Sequence, residues 1–168
     1  MKTMDTLDDF LLEEMREMYH AEGQLLRAHP RMERSATSSQ LRRALEQQRE
    51  QTKRHRDRLE QVLDMLGQAP RGETCDAMAG LIKECDELLL ADADPAVKDA
   101  AIICAAQKIG HYQIASYGCV CTYARLLGLA ELAHVLADSL EEAKQADQIL
   151  TELARNEINV AAMAESIG

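Results

Sequence analysis

Apolar residues recur at three- and four-residue intervals through Phe10/Leu11, Met15, Met18/Tyr19, Leu25/Leu26 and Met32, and the seam joining them passes through Glu22. That spacing marks the buried stripe of a long amphipathic helix, which needs other helices to cover it. A carboxylate on such a stripe is costly unless it is paired, hydrogen-bonded or bound to a cation. The chain must therefore build a helical bundle that keeps something polar at its centre. Composition agrees. Hydrophobic residues make up 46% of the 168 positions but aromatics only 3%, with no Trp and one Phe. A core of Leu, Ala, Ile, Val and Met suits closely packed helices better than sheets, so the fold class is all-α.

Punctuation divides the chain into four long helices and a short one. The first runs from about Thr6 to Ser35, with a bend or loosening expected near Pro30, which leaves the Leu26 carbonyl without its helical donor. Ala36 to Ser39 is a polar break able to cap the second helix, which continues to Leu66 and stops at Gly67. Gly67 to Glu73 reads as a loop, and Thr74 with Asp76 starts a shorter helix to about Ala91. Asp94-Pro95 is a strong N-cap and first-turn pair for the third long helix, which ends at Gly128. The fourth takes the remainder to about Ile158 or a little beyond. Two helical hairpins joined by a long middle segment give a four-helix bundle with a crossover, expected as one domain over residues 1–168.

Each inner stripe turns polar near its midpoint. The second helix presents Leu41, Leu45, Gln48, Thr52, His55, Leu59, Val62 and Leu66, so Gln48, Thr52 and His55 interrupt a leucine face. The third long helix admits two registers, one through Ile103, Gln107, Gly110, Gln113/Ile114 and Tyr117, the other through Cys104, Lys108, His111 and Ala115. The fourth reads Leu132, Val135/Leu136, Ser139, Glu142, Ala146, Ile149/Leu150 and Leu153, with Glu142 standing as Glu22 does on the first. This polar layer is either a metal site, or the remains of one, or a hydrogen-bonded layer that fixes helix register. Two Glu-x-x-His matches, Glu17–His20 and Glu131–His134, fall beside the stripes and read as surface pairs.

Other classes find little support. A formal net charge of −10 argues against nucleic-acid binding, which needs a concentrated positive field. The acidic N-terminus does not read as a signal peptide, and no stretch approaches a membrane span. A cytoplasmic protein is expected, with five reduced cysteines. The second helix is rich in Arg and Lys, from Arg42 to Arg58, with interleaved acids. It reads as a solvated, ion-paired face, with self-association against an acidic helix as the alternative. No nucleophile–base set or phosphate-binding glycine loop supports a hydrolase or a kinase.

Tyr19-His-Ala-Glu22-Gly-Gln-Leu-Leu26, Arg58-Leu-Glu-Gln-Val62, Thr74-Cys-Asp-Ala-Met78 with Gly80-Leu-Ile82, Asp94-Pro-Ala-Val97, His111-Tyr-Gln-Ile-Ala115 with Tyr117-Gly118, and Glu141-Glu142 with Ala146-Asp147 follow in order. As a set they resemble the YciE/YciF family of bacterial ferritin-like stress proteins, over nearly the whole chain. The resemblance implies a ferritin-like four-helix bundle with a short extra helix in the crossover, a homodimer, and an association with osmotic, oxidative or envelope stress. It also implies ligands for a pair of metal ions at Glu22, the Glu141–Glu142 region, and four positions where this chain has Gln48, Gln51, Gly110 and Gln113. An amide cannot replace an anionic carboxylate for such cations without losing electrostatic attraction, and glycine offers no side chain.

The expectation is a degraded di-metal site, with Gln48, Gln51 and Gln113 hydrogen-bonding to Glu22 and Glu142. One of these two acids would be protonated or bridged by water. Three functions follow: a non-enzymatic stress-associated scaffold or interaction protein without a cofactor; a metalloprotein holding one Fe, Mn or Zn ion on Glu22, His55, His111 and Glu142; and a thiol redox sensor at Cys75, whose helix N-terminus would lower its pKa.

Overall fold

A computed structural model describes residues 3–72 and 74–166, with side chains to 164. Glu73, at the end of the expected loop, lies outside the described residues. Helices are the only regular elements among them: α1 (Leu7–Ser35), α2 (Ser39–Met65), α3 (Asp76–Leu90), α4 (Pro95–Leu126), α5 (Ala130–Leu153) and α6 (Asn159–Ser166), with a π-helical turn at Ala154–Ile158 between the last two.

The helix starts follow from local chemistry. Thr6 caps α1 in a reciprocal box with Asp9, and Ser38 caps α2 through the Leu41 amide. Asp94 caps α4 ahead of Pro95, whose missing N–H costs nothing at that position. The cap of α3 is not Thr74 or Asp76 but Cys75, whose Sγ accepts from the Met78 amide. Gly67 and Gly128 take φ of 65° and 77° just past α2 and α4, a conformation that a Cβ disfavours. Pro30 sits inside α1 without ending it. The fourth long segment is not one α-helix to Ile158, because the π turn interrupts it after Leu153.

α1 packs against α2 and α4 against α5, and α2·α5 and α1·α4 contacts close the four-helix bundle. The contacts His29–Thr52 with Tyr19–Arg56, Arg58–Ser139 with Arg54–Glu142, and His111–Asp147 with Gln107–Thr151 show that α1/α2, α2/α5 and α4/α5 are antiparallel pairs. α2 and α4 consequently run the same way, and the chain must return along the bundle between them. α3 makes that return packed on α4 and α1. The Asp99 carboxylate ties the α1–α2 corner to α4, accepting from the Thr37 amide and hydroxyl and the Ser38 amide at 2.6–2.8 Å.

The core falls into two apolar halves and a smaller cluster beneath α3, formed by Ala21, Leu25, Cys75, Met78 and Ile109. Met32, Leu41, Leu45, Ile102, Ile103 and Leu150 belong to one; Leu11, Met15, Leu59, Val62, Val120 and Leu136 belong to the other. Between the two halves lies a waist of buried polar residues: Glu22, Gln51, Thr52, His55, Gln113 and Ser139.

Candidate functional site

α1 places Glu22 at the waist, 2% exposed. Gln113 Nε2 donates to Glu22 Oε2 at 2.9 Å and Oε1 at 3.1 Å, and the Tyr117 hydroxyl donates to Oε1 at 2.7 Å. Gln113 and Tyr117 stand one helical turn apart on α4, so a single face of that helix supplies both donors. Burial, then the Glu22 carboxylate, hold the Tyr117 phenol well above its ordinary pKa.

From α2, His55 enters between the two acids. Its Nε2 lies 3.0 Å from Glu142 Oε2. Its Nδ1 is 3.5 Å from Glu22 Oε1, but without hydrogen-bond alignment. Glu142, on α5, is half-buried. The Arg58 guanidinium grips it with two parallel bonds, Nη1 to Oε2 at 3.0 Å and Nη2 to Oε1 at 3.1 Å. Nη1 also donates to Ser139 Oγ at 3.2 Å, and Arg54 Nε reaches Oε1 at 3.3 Å. Burial pushes the Glu142 carboxyl up, yet the Arg58 bond and the Arg58, His55 and Arg54 charges outweigh it, leaving its pKa below the usual range. Glu142 is thus favoured as the carboxylate, its charge met chiefly by the Arg58 guanidinium, and the His55 ring stands between the two acids.

The arrangement departs from the sequence-level expectation at four further points. Gln113 does bond to Glu22, but neither Gln48 nor Gln51 bonds to either acid. These two amides, with Gly110 and Gln113, line a cavity of about 20 Å³ beside His55, room for about one water molecule. A Cβ at Gly110 would meet nothing within 4 Å. His111 does not join the centre: α4 adopts the register of Ile103, Gln113 and Tyr117, leaving His111 67% exposed and 3.1 Å from Asp147. Nor is Cys75 an acidic thiol. It is buried beside Tyr112 and Glu17, and burial raises its pKa more than the Tyr112 and Met78 bonds lower it. Arg58 and Arg56, read as part of a solvated face, point inward, Arg56 donating to the Tyr19 hydroxyl at 2.9 Å.

These residues do not suit a metal ion. The two nitrogens of His55 face opposite carboxylates, so Glu22, His55 and Glu142 cannot converge on one point. Both oxygens of each acid already accept hydrogen bonds. Among the described residues, no three His, Cys, Asp or Glu side chains form a metal-holding group. A second polar contact crosses the same α1–α2 seam toward Ser35. His29 Nε2 meets Thr52 Oγ1 at 3.2 Å, and burial, then Arg49, depress the His29 pKa to about 4.

A ferritin-like helical bundle with a polar waist is thus the class that fold and site define. The chain belongs to the family described as a domain of unknown function, DUF892, whose model matches residues 6–163. It is 38% identical over 157 residues to Protein YciF of Escherichia coli K12, covering 93% of this chain and 95% of that protein. The crystal structure of the E. coli stress protein YciF superposes with a TM-score of 0.89, covering 93% of this chain and 99% of that one. YcfI from Rhodopseudomonas palustris, whose description proposes a structural role, is 40% identical with a TM-score of 0.86, over 89% and 96% of the two chains. A protein from Xanthomonas campestris pv. campestris, 18% identical, shares the fold with a TM-score of 0.76 over 96% and 99%.

Proposed function

We propose that this chain is a non-enzymatic, stress-associated bundle protein, a scaffold or interaction protein whose degraded di-metal site is held by a carboxylate–imidazole–guanidinium network. The observation that carries this reading is the placement of His55 between Glu22 and Glu142, with Arg58 bidentate on Glu142. A buried acid needs compensation from its surroundings, and here side chains provide it: Arg58 on Glu142, and the Gln113 amide and Tyr117 hydroxyl on Glu22. The stress association follows the description of the E. coli relative YciF, and the scaffold role is in keeping with the description of YcfI. A cytoplasmic homodimer completes the proposal. Among the described residues no helix is long and apolar enough to cross a membrane.

Elemental analysis of protein produced with iron, manganese and zinc available, beside a Glu22→Ala control, tests it. Trace metal in both samples is expected. Stoichiometric metal that the control loses would replace this reading with the metalloprotein one, in which an Fe, Mn or Zn ion displaces the network.

A further inference from the structure

Gly23 lies inside α1, where a residue without a Cβ weakens the helix. Packing does not demand it. Apart from its own helix backbone, a Cβ there would meet only Arg27 Nη1 and Arg56 Nε, each at 3.8 Å. The glycine thus leaves a notch between α1 and α2, with one guanidinium from each helix at its edge. Two like charges facing one small space repel each other unless an anion lies between them.

Neither cation has a counter-ion. Among the described residues, no carboxylate oxygen lies within 4.0 Å of either guanidinium. Two acids of the same helix pair are already engaged, Glu33 with Arg49 at 3.2 Å and Glu50 with Lys53 at 2.7 Å. Arg56 is nevertheless held in place. Its Nη2 donates to the Tyr19 hydroxyl at 2.9 Å, and its Cζ sits 4.7 Å from the centre of that ring. Its Nε is buried and has no acceptor. A guanidinium fixed on an aromatic ring keeps its planar fork pre-organised for an oxyanion. Arg27 is exposed, so its long side chain is free to swing over whatever Arg56 holds.

The charge of the whole chain selects the size of the ligand. A formal net charge of −10 repels an extended polyanion such as a nucleic acid or an anionic membrane. A compact anion that meets only this notch gains both guanidiniums, while salt screens it from the more distant acids.

We propose that Arg27 and Arg56, with Gly23 as the floor between them, form a binding site for a small phosphate-class oxyanion, either inorganic phosphate or the phosphate of a small ester. Arg56 supplies fixed donors, Arg27 closes over the anion, and the missing Cβ of Gly23 leaves space for its oxygens. The site stands apart from the scaffold reading.

Phosphorus NMR of inorganic phosphate in the presence of the full chain, at an ionic strength held constant with chloride, reads binding through the linewidth. The wild type should broaden the signal saturably. Arg27→Ala, at an exposed position, should weaken the apparent affinity about tenfold with helical circular dichroism unchanged. Gly23→Glu places a carboxylate one turn before Arg27. It should fill the notch with its own anion, raise the thermal midpoint and abolish the broadening. Glycerol phosphate separates the two sources: tighter binding than inorganic phosphate assigns an ester, and equal or weaker binding assigns free phosphate. No broadening by the wild type, or an unchanged affinity in folded Arg27→Ala or Gly23→Glu, would overturn the site. If Gly23→Glu does not fold, Arg27→Ala decides alone.

Discussion

Replacing Arg58 by alanine strips the half-buried Glu142 of both parallel hydrogen bonds and of its main opposite charge. The loss should be about 2–3 kcal/mol, because the carboxylate stays behind without its counter-ion. Replacing Glu142 by glutamine in the Arg58→Ala background should recover part of it, and a double-mutant cycle from urea unfolding measures the coupling. Additive losses would show that the pair does not act as one unit. His29 gives a pH prediction. Its pKa is about 4 in the fold against 6.5 in the free side chain, so the unfolded chain takes the proton first. Acidification from 6.5 toward 4 should cost up to about 3 kcal/mol of stability, and the contribution is whole above 6.5. Glu142 acts in the same direction lower down, since its depressed pKa makes its contribution present above the ordinary carboxylate value and lost as pH falls through the folded one. His29→Gln should flatten the stability profile between pH 6.5 and 4, and a slope equal to wild type would contradict this. At this scale the sequence announced Glu22, His55 and Glu142, because each breaks an apolar stripe. It hid Arg58, one turn beyond His55 in a basic run that reads as surface. It also hid the Tyr117 hydroxyl, since a tyrosine on a stripe looks like core. The signal for Arg58 was its place near the His55 face, opposite the lone acid on the α5 seam.

α4 shows why an element can be plain while its orientation is not. Small and apolar residues surround it almost evenly, so its periodicity does not choose between Gln113 and His111 as the inward residue. The choice comes from tertiary contacts, with Glu22 accepting from Gln113 and Tyr117. At the start of α3, turn chemistry pointed to Thr74 or Asp76, but the thiol of Cys75 does the capping. That burial has a measurable consequence. Cys104 and Cys119 are exposed, whereas Cys75, Cys85 and Cys121 are buried. A thiol reagent at neutral pH should label the first two in the native state and the other three only on unfolding. Labelling of Cys75 at the rate of the exposed pair would restore the redox-sensor reading. Asp99 is a third case. Nothing in its local sequence announces a buried carboxylate, yet it closes the corner between α1 and α2 from a helix some sixty residues on.

Across the whole molecule, the helix count, hairpin pairing and crossover were legible because punctuation and periodicity are local properties. The polar waist was legible too, as four midpoints meeting at one level between two apolar halves. How the waist balances its charge was not, because that depends on which side chains of α2 reach α5. The waist is self-sufficient, with Arg58 holding Glu142 and the Gln113 and Tyr117 donors holding Glu22. Unfolding of the protein in urea before and after exhaustive treatment with a chelator tests this most directly. The same midpoint is expected in both samples, within error. A midpoint that falls on chelation and returns when iron, manganese or zinc is added back would show that a metal ion, and not Arg58 with His55, holds the centre together.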